Sequence, residues 1–463
     1  DGIRDAQESR GLGDVYKRQL LILLGALEFL LPRMINLEPV QRTVFDELRN
    51  RLHCETAYRK IDFTLFPRPH LVARDVSIRK PGVFLLSVGS MTLYPEMGPL
   101  LTGEIRIRQV LLSKPDIQFS LPSPAIDAND VGQEPTDGTL DQGLAGLSRL
   151  DAGIQAQLEF LRLAPVAPVL EIRGGRLAVL RDGELLMDFA DVQVHGERRA
   201  GRLELALGCG SNVCERVSLQ VAVDPEEGTA YGQVILSGLN LDVLSSPFLK
   251  DTSIHLGPSV SNLAVDLVYH RHRGLDLGFG GEVAELIVKK DEHEVRLGGA
   301  RFAARLALHG QTVRVTLDSL HMTAPKLQAA GFAVCEGRGR DILVELTGTE
   351  VDAGGVRAVA LGLWEQNKGV RDTFEVVLDG RVPRIFYRVR GRSLKELEKL
   401  ENTVIEGSME GGAIFIPPAR LLVQNARGEV EISAGVLRAW NLEGRTGESS
   451  ACLLYTSPSP RDS

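Results

Sequence analysis

Residues 66–82 read FPRPHLVARDVSIRKPG, and residues 100–117 read LLTGEIRIRQVLLSKPDI. Both stretches alternate apolar with polar residues between Pro and Gly, so each predicts a pair of short β-strands joined by turns. The two pairs follow an apolar N-terminal run, and they contain no concentration of catalytic side chains. This part of the chain therefore predicts a membrane-anchored β protein that works through a surface and carries out no reaction.

The two ends of the chain are related to each other at the level of DNA. Residues 9–19 can be written in codons whose reverse complement, read one base in, encodes residues 452–461 as they stand. Reverse-complementary coding sequences at the two termini are typical of translated sequencing adapter. Residues 1–19 and 452–463 are therefore interpreted as adapter-derived tails. On this hypothesis the native protein is longer at both ends, and sequencing the intact locus would test it.

The composition limits the partners of the chain. Its 463 residues include 53 Lys and Arg against 61 Asp and Glu, a net charge of −8, and they contain no basic block. Nucleic-acid binding needs a dense cationic patch, so no nucleic acid is expected as a partner. The length allows two or more domains.

The cysteines Cys209 and Cys214 flank a short polar stretch between two alternating runs. They could pair across a hairpin in an oxidising compartment, or they could remain separate thiols, because a disulfide that closes so short a loop adds little stability. No nearby His or Cys completes a zinc site. Neither a metal nor a cofactor is therefore expected.

The apolar run at residues 20–31 reads LLILLGALEFLL. It is shorter than the roughly 20 residues that span a bilayer, but adapter borders it directly, so we interpret it as the remaining half of a membrane helix. A buried helix and a signal-peptide core are the alternatives. A short amphipathic helix is predicted behind it, at residues 40–52. The residues expected in the membrane anchor are Leu20, Ile22, Leu24, Leu27, Leu30 and Leu31.

Most of the remaining chain alternates with period two, which predicts strands with one apolar and one polar face. Two helices interrupt this pattern, one at residues 140–161 behind a Pro/Gly-rich linker and one at a capping box formed by Ser393 and Glu396. The pattern predicts a mainly-β antiparallel fold with a few short helices. The apolar positions expected to act together are Leu203, Leu205, Leu207, Leu219, Val221, Val223, Leu275, Leu277, Phe279, Val313, Val315 and Leu317.

Alternation does not decide where the apolar face points. Two sheets could close on each other and bury it as a sandwich core. Alternatively, one long curved sheet could leave it open as a trough. Sparse aromatic residues and few long helices are compatible with the trough, but the residues alone leave both structures open.

The segment from the apolar run to Ile117 resembles the AsmA-like family of bacterial envelope proteins. The likeness lies in the order and spacing of the motifs at residues 65–81 and 100–117, and a second stretch at residues 169–194 is similar to the next repeat of the family. Beyond about residue 200 the likeness is loose, and the Pro/Asp-rich linker after Pro122 is longer than the family pattern requires.

The resemblance implies an elongated, curved antiparallel sheet that forms an apolar groove. It also implies a single-pass anchor in the bacterial inner membrane, with the bulk of the chain in the periplasm. The expected function is a conduit that shields phospholipid acyl chains between the inner and outer membranes, with an outer-membrane or periplasmic protein as a further partner. The alternative is a scaffold or assembly factor for outer-membrane proteins that acts by strand addition at exposed sheet edges.

Seven segments are predicted on these patterns. They are residues 1–19 (tail), 20–53 (anchor and amphipathic helix), 54–121 (first β module), 122–165 (linker and helix), 166–390 (groove repeats), 391–451 (capping-box helix and a further repeat) and 452–463 (tail).

Three polar motifs are better explained by turns and strands than by sites. His270 and His272 enclose Arg271 directly before Gly274, which predicts a hairpin tip and not a metal or phosphate site. The charged residues 289–294 predict a solvated turn, and the glycines at 278–281 lack the strand–helix context of a dinucleotide loop. Neither a Ser-centred elbow nor an HExxH motif occurs, so no catalytic residue is assigned and no enzyme is expected.

Overall fold

The computed structural model describes residues 54–64, 68–96, 98–99, 106–121, 155, 168–181, 183–249, 252–291, 293–337, 341–366, 368–397, 399–434, 436–446 and 449–457. The described part of the chain is mainly β, as predicted. The helices expected at residues 20–31, 40–52 and 140–161 lie outside the described residues, apart from the single helical residue 155. Among the helices that are described, none has the length and apolarity needed to cross a membrane.

The strands follow one another along the chain with few interruptions. They are β1 (Glu55–Ala57), β2 (Lys60–Thr64), β3 (His70–Lys80), β4 (Phe84–Pro95), β5 (Ile107–Ser113), β6 (Asp116–Leu121), β7 (Val169–Arg181), β8 (Glu184–Arg199), β9 (Arg202–Ser211), β10 (Cys214–Asp224), β11 (Thr229–Asn240), β12 (Ile254–Leu256), β13 (Val260–His270), β14 (Gly274–Lys290), β15 (His293–His309), β16 (Thr312–Thr323), β17 (Lys326–Glu336), β18 (Asp341–Asp352), β19 (Val377–Gly391), β20 (Thr403–Ile416), β21 (Leu421–Ser433), β22 (Val436–Thr446) and β23 (Ser449–Ser457).

Short helices connect some of these strands: α1 (Leu241–Leu249), α2 (Ala353–Trp364), α3 (Lys368–Val376) and α4 (Leu394–Leu397). One half of the predicted capping box is present at α4, where the Ser393 hydroxyl accepts a hydrogen bond from the Glu396 amide at 3.2 Å; the second half is shifted by one residue. The Glu396 carboxylate accepts from the amide of Arg392 at 2.8 Å, and α4 has only one turn. The next strand, β20, begins at Thr403.

The chain divides into two compact units. Unit 1 comprises Asp1–Pro124, Pro165–Arg199 and Leu205–Gly210, and unit 2 comprises Ala125–Ala164, Ala200–Glu204 and Ser211–Ser463. Within the described residues, unit 1 contains β1–β8 and most of β9, and unit 2 contains β10–β23 with the four helices. The strands β7 and β8, which the sequence grouped with the groove repeats, cluster with the first β module.

Unit 1 contains both antiparallel and parallel pairs, so the expectation of a purely antiparallel sheet is wrong. β5 and β6 both pair in parallel with β7, through registers such as Leu112 opposite Ile172 and Ile117 opposite Leu177. Parallel neighbours require a long crossover, and residues 122–168 provide it. The alternation within each strand could not reveal this pairing because it carries no information on strand direction.

The core of unit 1 depends on one backbone inversion in β3. Leu71 and Ala73 are buried before Asp75, and Val76 and Ile78 are buried after it, although a regular strand would place these pairs on opposite sides. Asp75 adopts φ +52°, a left-handed conformation that reverses the alternation. Both halves of β3 therefore contribute to one core.

Unit 2 is an antiparallel ladder. From β10 each strand pairs with the next described strand up to β23, except that the short β12 pairs with β14 and leaves β11 beside β13. The apolar residues read from the sequence at Leu219, Leu275 and Val313 all lie within strands of this ladder, as the alternation predicted.

β23 extends into the segment interpreted as adapter. It pairs with β22 through a register that includes Glu443 opposite Cys452. Such pairing uses backbone groups that every residue other than proline provides, so it does not bear on the origin of residues 452–463.

Candidate functional site: an apolar face of unit 2

Cross-strand pairing places apolar residues of unit 2 in rows on one side of the sheet. Residues directly opposite each other in an antiparallel pair project to the same side. We call the side that carries the next three rows the apolar face. Row 1 contains Val223, Ala230, Tyr269, Leu275, Leu308, Val313, Cys335 and Ile342. Row 2 contains Val221, Gly232, Leu267, Leu277, Leu306, Val315, Ala333, Val344 and Val389. Row 3 contains Leu219, Val234, Val265, Phe279, Ala304, Leu317, Gly331, Leu346, Tyr387, Ile405 and Ile432.

The three rows differ in exposure. Row 1 forms a buried margin, in which Tyr269 is 0 % and Leu275 1 % exposed and both pack in one cluster with Leu308. Rows 2 and 3 are more open, with Val315 at 45 % and Leu346 at 39 % exposure. The interior of a closed sandwich would bury such side chains. The described residues therefore leave part of the apolar face accessible to water.

The opposite side of the same strands mixes apolar with charged side chains and carries the ion pairs described next; we call it the polar face. Its apolar members include Tyr231 at 49 % and Ile235 at 42 % exposure. Arg305 binds Asp318 through two guanidinium nitrogens, one of them at 2.9 Å, and Arg390 binds Asp341 in the same way at 3.0 and 2.7 Å. Hydrogen bonding to Arg305 lowers the pKa of Asp318, and hydrogen bonding to Arg390 lowers that of Asp341. These exposed pairs add little stability, and they distinguish this side of the sheet from the apolar face, whose three rows contain no charged residue.

Most of the sequence-predicted groove residues come together on the apolar face. Val223, Leu275 and Val313 lie in row 1, and the corresponding residues of the same strands fill rows 2 and 3. The remaining predicted triplet, Leu203, Leu205 and Leu207, lies on β9, whose residues are divided between unit 1 and unit 2. These three leucines are half-buried, and the exposed Glu204 and Ala206 alternate with them.

Sequence reasoning did not assign to the face the residues of the strands that lie between the predicted triplets, although it recognised a strand at residues 263–268. β13 contributes Val265 and Leu267, and β18 contributes Val344 and Leu346. Their period-two spacing was the available signal. On β17, by contrast, the face is made of Ala and Gly, and Ala333 and Gly331 are too small to stand out in a pattern of large apolar residues.

The helix α2, which was not predicted, packs at the end of β14 and β15 that lies far from row 1. Its first turn is capped by Asp352, whose carboxylate accepts from the Gly355 amide at 3.1 Å. At its other end the ammonium of Lys290 donates to the Leu363 carbonyl at 2.5 Å. A Cβ on Gly362 would lie 2.7 Å from a methyl group of Val295, so glycine allows the close approach of the helix to β15.

The pair Cys209 and Cys214 is not joined by a disulfide. Cys214 is 2 % exposed, and burial raises the pKa of its thiol while a hydrogen bond with Ser211 opposes this shift. The structure thus contains two separate thiols, and pairing in an oxidising compartment stays a prediction.

The polar motifs lie where the sequence placed them. Arg271, His272 and Arg273 form the turn between β13 and β14, and Asp291 lies in the turn between β14 and β15. The residues 278–281 lie inside β14. Within the described residues, no group of three or more His, Cys, Asp or Glu side chains could hold a metal ion.

Comparison of the chain with protein-family models, with curated proteins and with solved structures finds no match. The likeness to AsmA-like proteins rests on the N-terminal motifs alone, and what it implies for function is a proposal.

Proposed function

We propose that this protein is a lipid conduit of the bacterial periplasm, in which the apolar face of unit 2 shields phospholipid acyl chains between the inner and outer membranes. The observation that carries the proposal is the continuity of row 3, which crosses eleven neighbouring strands from Leu219 to Ile432 with apolar residues or glycine at every position. Because Val315 and Leu346 are exposed, an acyl chain would have access to this part of the face.

The dimensions of the face agree with this role. Neighbouring strands lie about 4.8 Å apart, so ten spacings give a row of roughly 48 Å. A bilayer core of about 30 Å holds two acyl chains end to end. Unit 2 therefore presents a face longer than one acyl chain, along which a lipid would meet similar surroundings at each step.

Backbone inversions support a curved sheet. Left-handed residues occur in most of the later strands, and some coincide with the register shifts of bulges, among them Gly380 in β19, Gly411 in β20 and Asn425 in β21. Bulges of this kind bend a strand and increase its twist. We infer that repeated bends turn the apolar face into the concave side of a groove.

The energetic reason for such a groove is the cost of exposing hydrocarbon. A phospholipid has about thirty chain methylenes, and each costs about 0.8 kcal/mol to transfer into water. Crossing an aqueous gap unprotected would cost on the order of 25 kcal/mol by this estimate. An open apolar face removes much of that cost, and it avoids a tight pocket that would hold one lipid in place.

Site-specific crosslinking would test the proposal. A photoreactive phenylalanine analogue is introduced at Val315 on the apolar face or at the adjacent Thr316, which faces Arg305 and Phe332 on the polar face. The protein is isolated without detergent from bacterial membranes and irradiated. We expect phospholipid adducts at position 315 and few at 316. Equal labelling at both positions, or adducts to nascent outer-membrane strands in place of lipid, would contradict the conduit and favour the strand-addition scaffold.

A further inference from the structure

The turn formed by Arg271, His272 and Arg273 borders the apolar face. The paired residues next to it are His270 opposite Gly274, followed by Tyr269 opposite Leu275 in the buried row 1. His272 and Arg273 are exposed. A cationic tip therefore lies directly beyond the margin of the face, where the polar part of a bound lipid would meet water.

The two arginines of this tip have different neighbours. The Arg271 amide donates to the Gly228 carbonyl at 2.9 Å, and its side chain lies against Gly228, in the turn that also contains residues 226–227, both glutamates. Arg273 leads into β14, whose neighbour β15 ends in a turn at residues 310–311 that has no carboxylate. Among the described residues, no carboxylate forms an ion pair with Arg273.

The nearest carboxylate along β14 is already engaged. Asp276 lies 3.1 Å from the ring nitrogen Nε2 of His309. At the far end of β14, Lys290 is bonded to the Leu363 carbonyl at the end of α2. Of the cations at the two ends of this strand, Arg273 is the one with an exposed guanidinium that no described side chain neutralises.

We propose that this turn binds the headgroup phosphate of anionic lipids whose tails lie on the apolar face. The proposal rests on the conduit function and adds the class of lipid carried. Arg273 and Leu277 are four residues apart, about 13 Å along an extended strand. A phosphate at the guanidinium would therefore leave the glycerol over row 1 and allow the first methylenes to reach row 2. Guanidinium suits phosphate because it offers two parallel N–H donors.

The test compares two short-chain lipids with identical tails, dioctanoyl phosphatidylglycerol and dioctanoylglycerol, bound to the purified full chain. The variant Arg273→Gln removes the proposed contact. The matched control Arg216→Gln removes an exposed charge from the polar face of β10, where Arg216 lies opposite Ser237. We expect Arg273→Gln to weaken phosphatidylglycerol binding about three- to five-fold, the range for one exposed charge pair. Dioctanoylglycerol binding should not change in either variant, and circular dichroism would verify the fold.

Each outcome separates the two proposals. If both lipids bind wild type equally and Arg273→Gln affects neither, the headgroup site is wrong and the conduit stands. If Arg216→Gln weakens phosphatidylglycerol binding as much as Arg273→Gln, the effect is general charge and the site is again wrong. If inorganic phosphate alone binds as tightly as the lipid, the site is one for free phosphate. If neither lipid binds, the conduit itself fails.

Discussion

A carboxylate placed in the open part of the apolar face should obstruct lipid movement without unfolding the sheet. Val315 is suited to this test because it is 45 % exposed and lies in row 2 between Leu306 and Ala333. The substitution Val315→Asp removes only the buried half of a valine, which contributes about 1 kcal/mol to folding. Leu277→Asp should obstruct movement in the same way, but it would disturb the folded state more because Leu277 is half-buried between Leu267 and Leu306.

The magnitude follows from the methylenes that lose their contact. A hydrated carboxylate would keep water over its own strand and the space on either side. Roughly four methylenes of a passing acyl chain would then lose contact with the apolar face, and each would cost about 0.8 kcal/mol in transfer free energy. The barrier should rise by about 3 kcal/mol, which corresponds to a transfer rate reduced on the order of a hundredfold. The matched control Thr316→Asp places the same charge beside Arg305 on the polar face and should leave the rate unchanged.

Transfer of a fluorescent phospholipid between donor and acceptor vesicles would measure this rate, with thermal unfolding followed in parallel. Val315→Asp and Thr316→Asp should unfold within a few degrees of each other while their transfer rates differ. Wild-type transfer by Val315→Asp would refute the idea that acyl chains travel along rows 2 and 3. Equal losses in both variants would mean that charge alone, and not its side of the sheet, controls transfer.

Three further predictions concern stability. Leu275→Ala should lower the free energy of unfolding by about 2–5 kcal/mol, as expected for truncating a leucine that is 1 % exposed, measured by urea titration. Gly331→Ala should destabilise by about 1–3 kcal/mol or more, measured in the same way, because its Cβ would lie 2.1 Å from the Glu345 carbonyl oxygen of the neighbouring strand. Asp318→Asn should remove a small stabilisation that depends on pH. Hydrogen bonding to Arg305 lowers the pKa of Asp318, so this stabilisation is complete above the unfolded-state pKa of about 4 and is lost as the pH falls through the lower folded-state value.

Three results would contradict these expectations for protein stability. A loss below 1 kcal/mol for Leu275→Ala would mean that row 1 is not a packed margin. An unchanged urea midpoint for Gly331→Ala would contradict the close approach of β17 to β18. For Asp318→Asn, a difference from wild type that grew as the pH fell from 5 to 2 would have the wrong sign, and the ion pair on the polar face would not be responsible.

The strands were largely predictable because each one alternates on its own. The triplets at Leu219, Leu275 and Val313 were identified without knowledge of their neighbours, and pairing places them on one face. The register that aligns them was not predictable, since it depends on turn lengths and bulges. Between Leu317 and Leu320, for example, β16 contains an extra residue relative to β17 that keeps both leucines on the apolar face.

The other misses share a physical origin in long-range structure. The parallel pairing of β5 and β6 with β7 joins strands that are far apart in the sequence, and alternation within a strand carries no information on its partners. The inversion at Asp75 depends on the burial of residues on both sides of it. The helix α2 had a local signal in its cap residue Asp352, but its Ala, Gly and Val residues do not distinguish a helix from an apolar strand. The exposure of the apolar face depends on how the strands assemble into a sheet. Period-two alternation within single strands therefore could not predict it.

The ladder of unit 2 also has a consequence for how such a protein could change its reach. Hydrogen bonds join each strand to its immediate neighbours, so duplicating or deleting one hairpin would preserve the cross-section while altering the length by about 10 Å. On the proposed conduit function, the length of the apolar face is then set by the number of hairpins, and a homologue in a wider or narrower compartment is expected to differ by whole hairpins and not by redesigned residues.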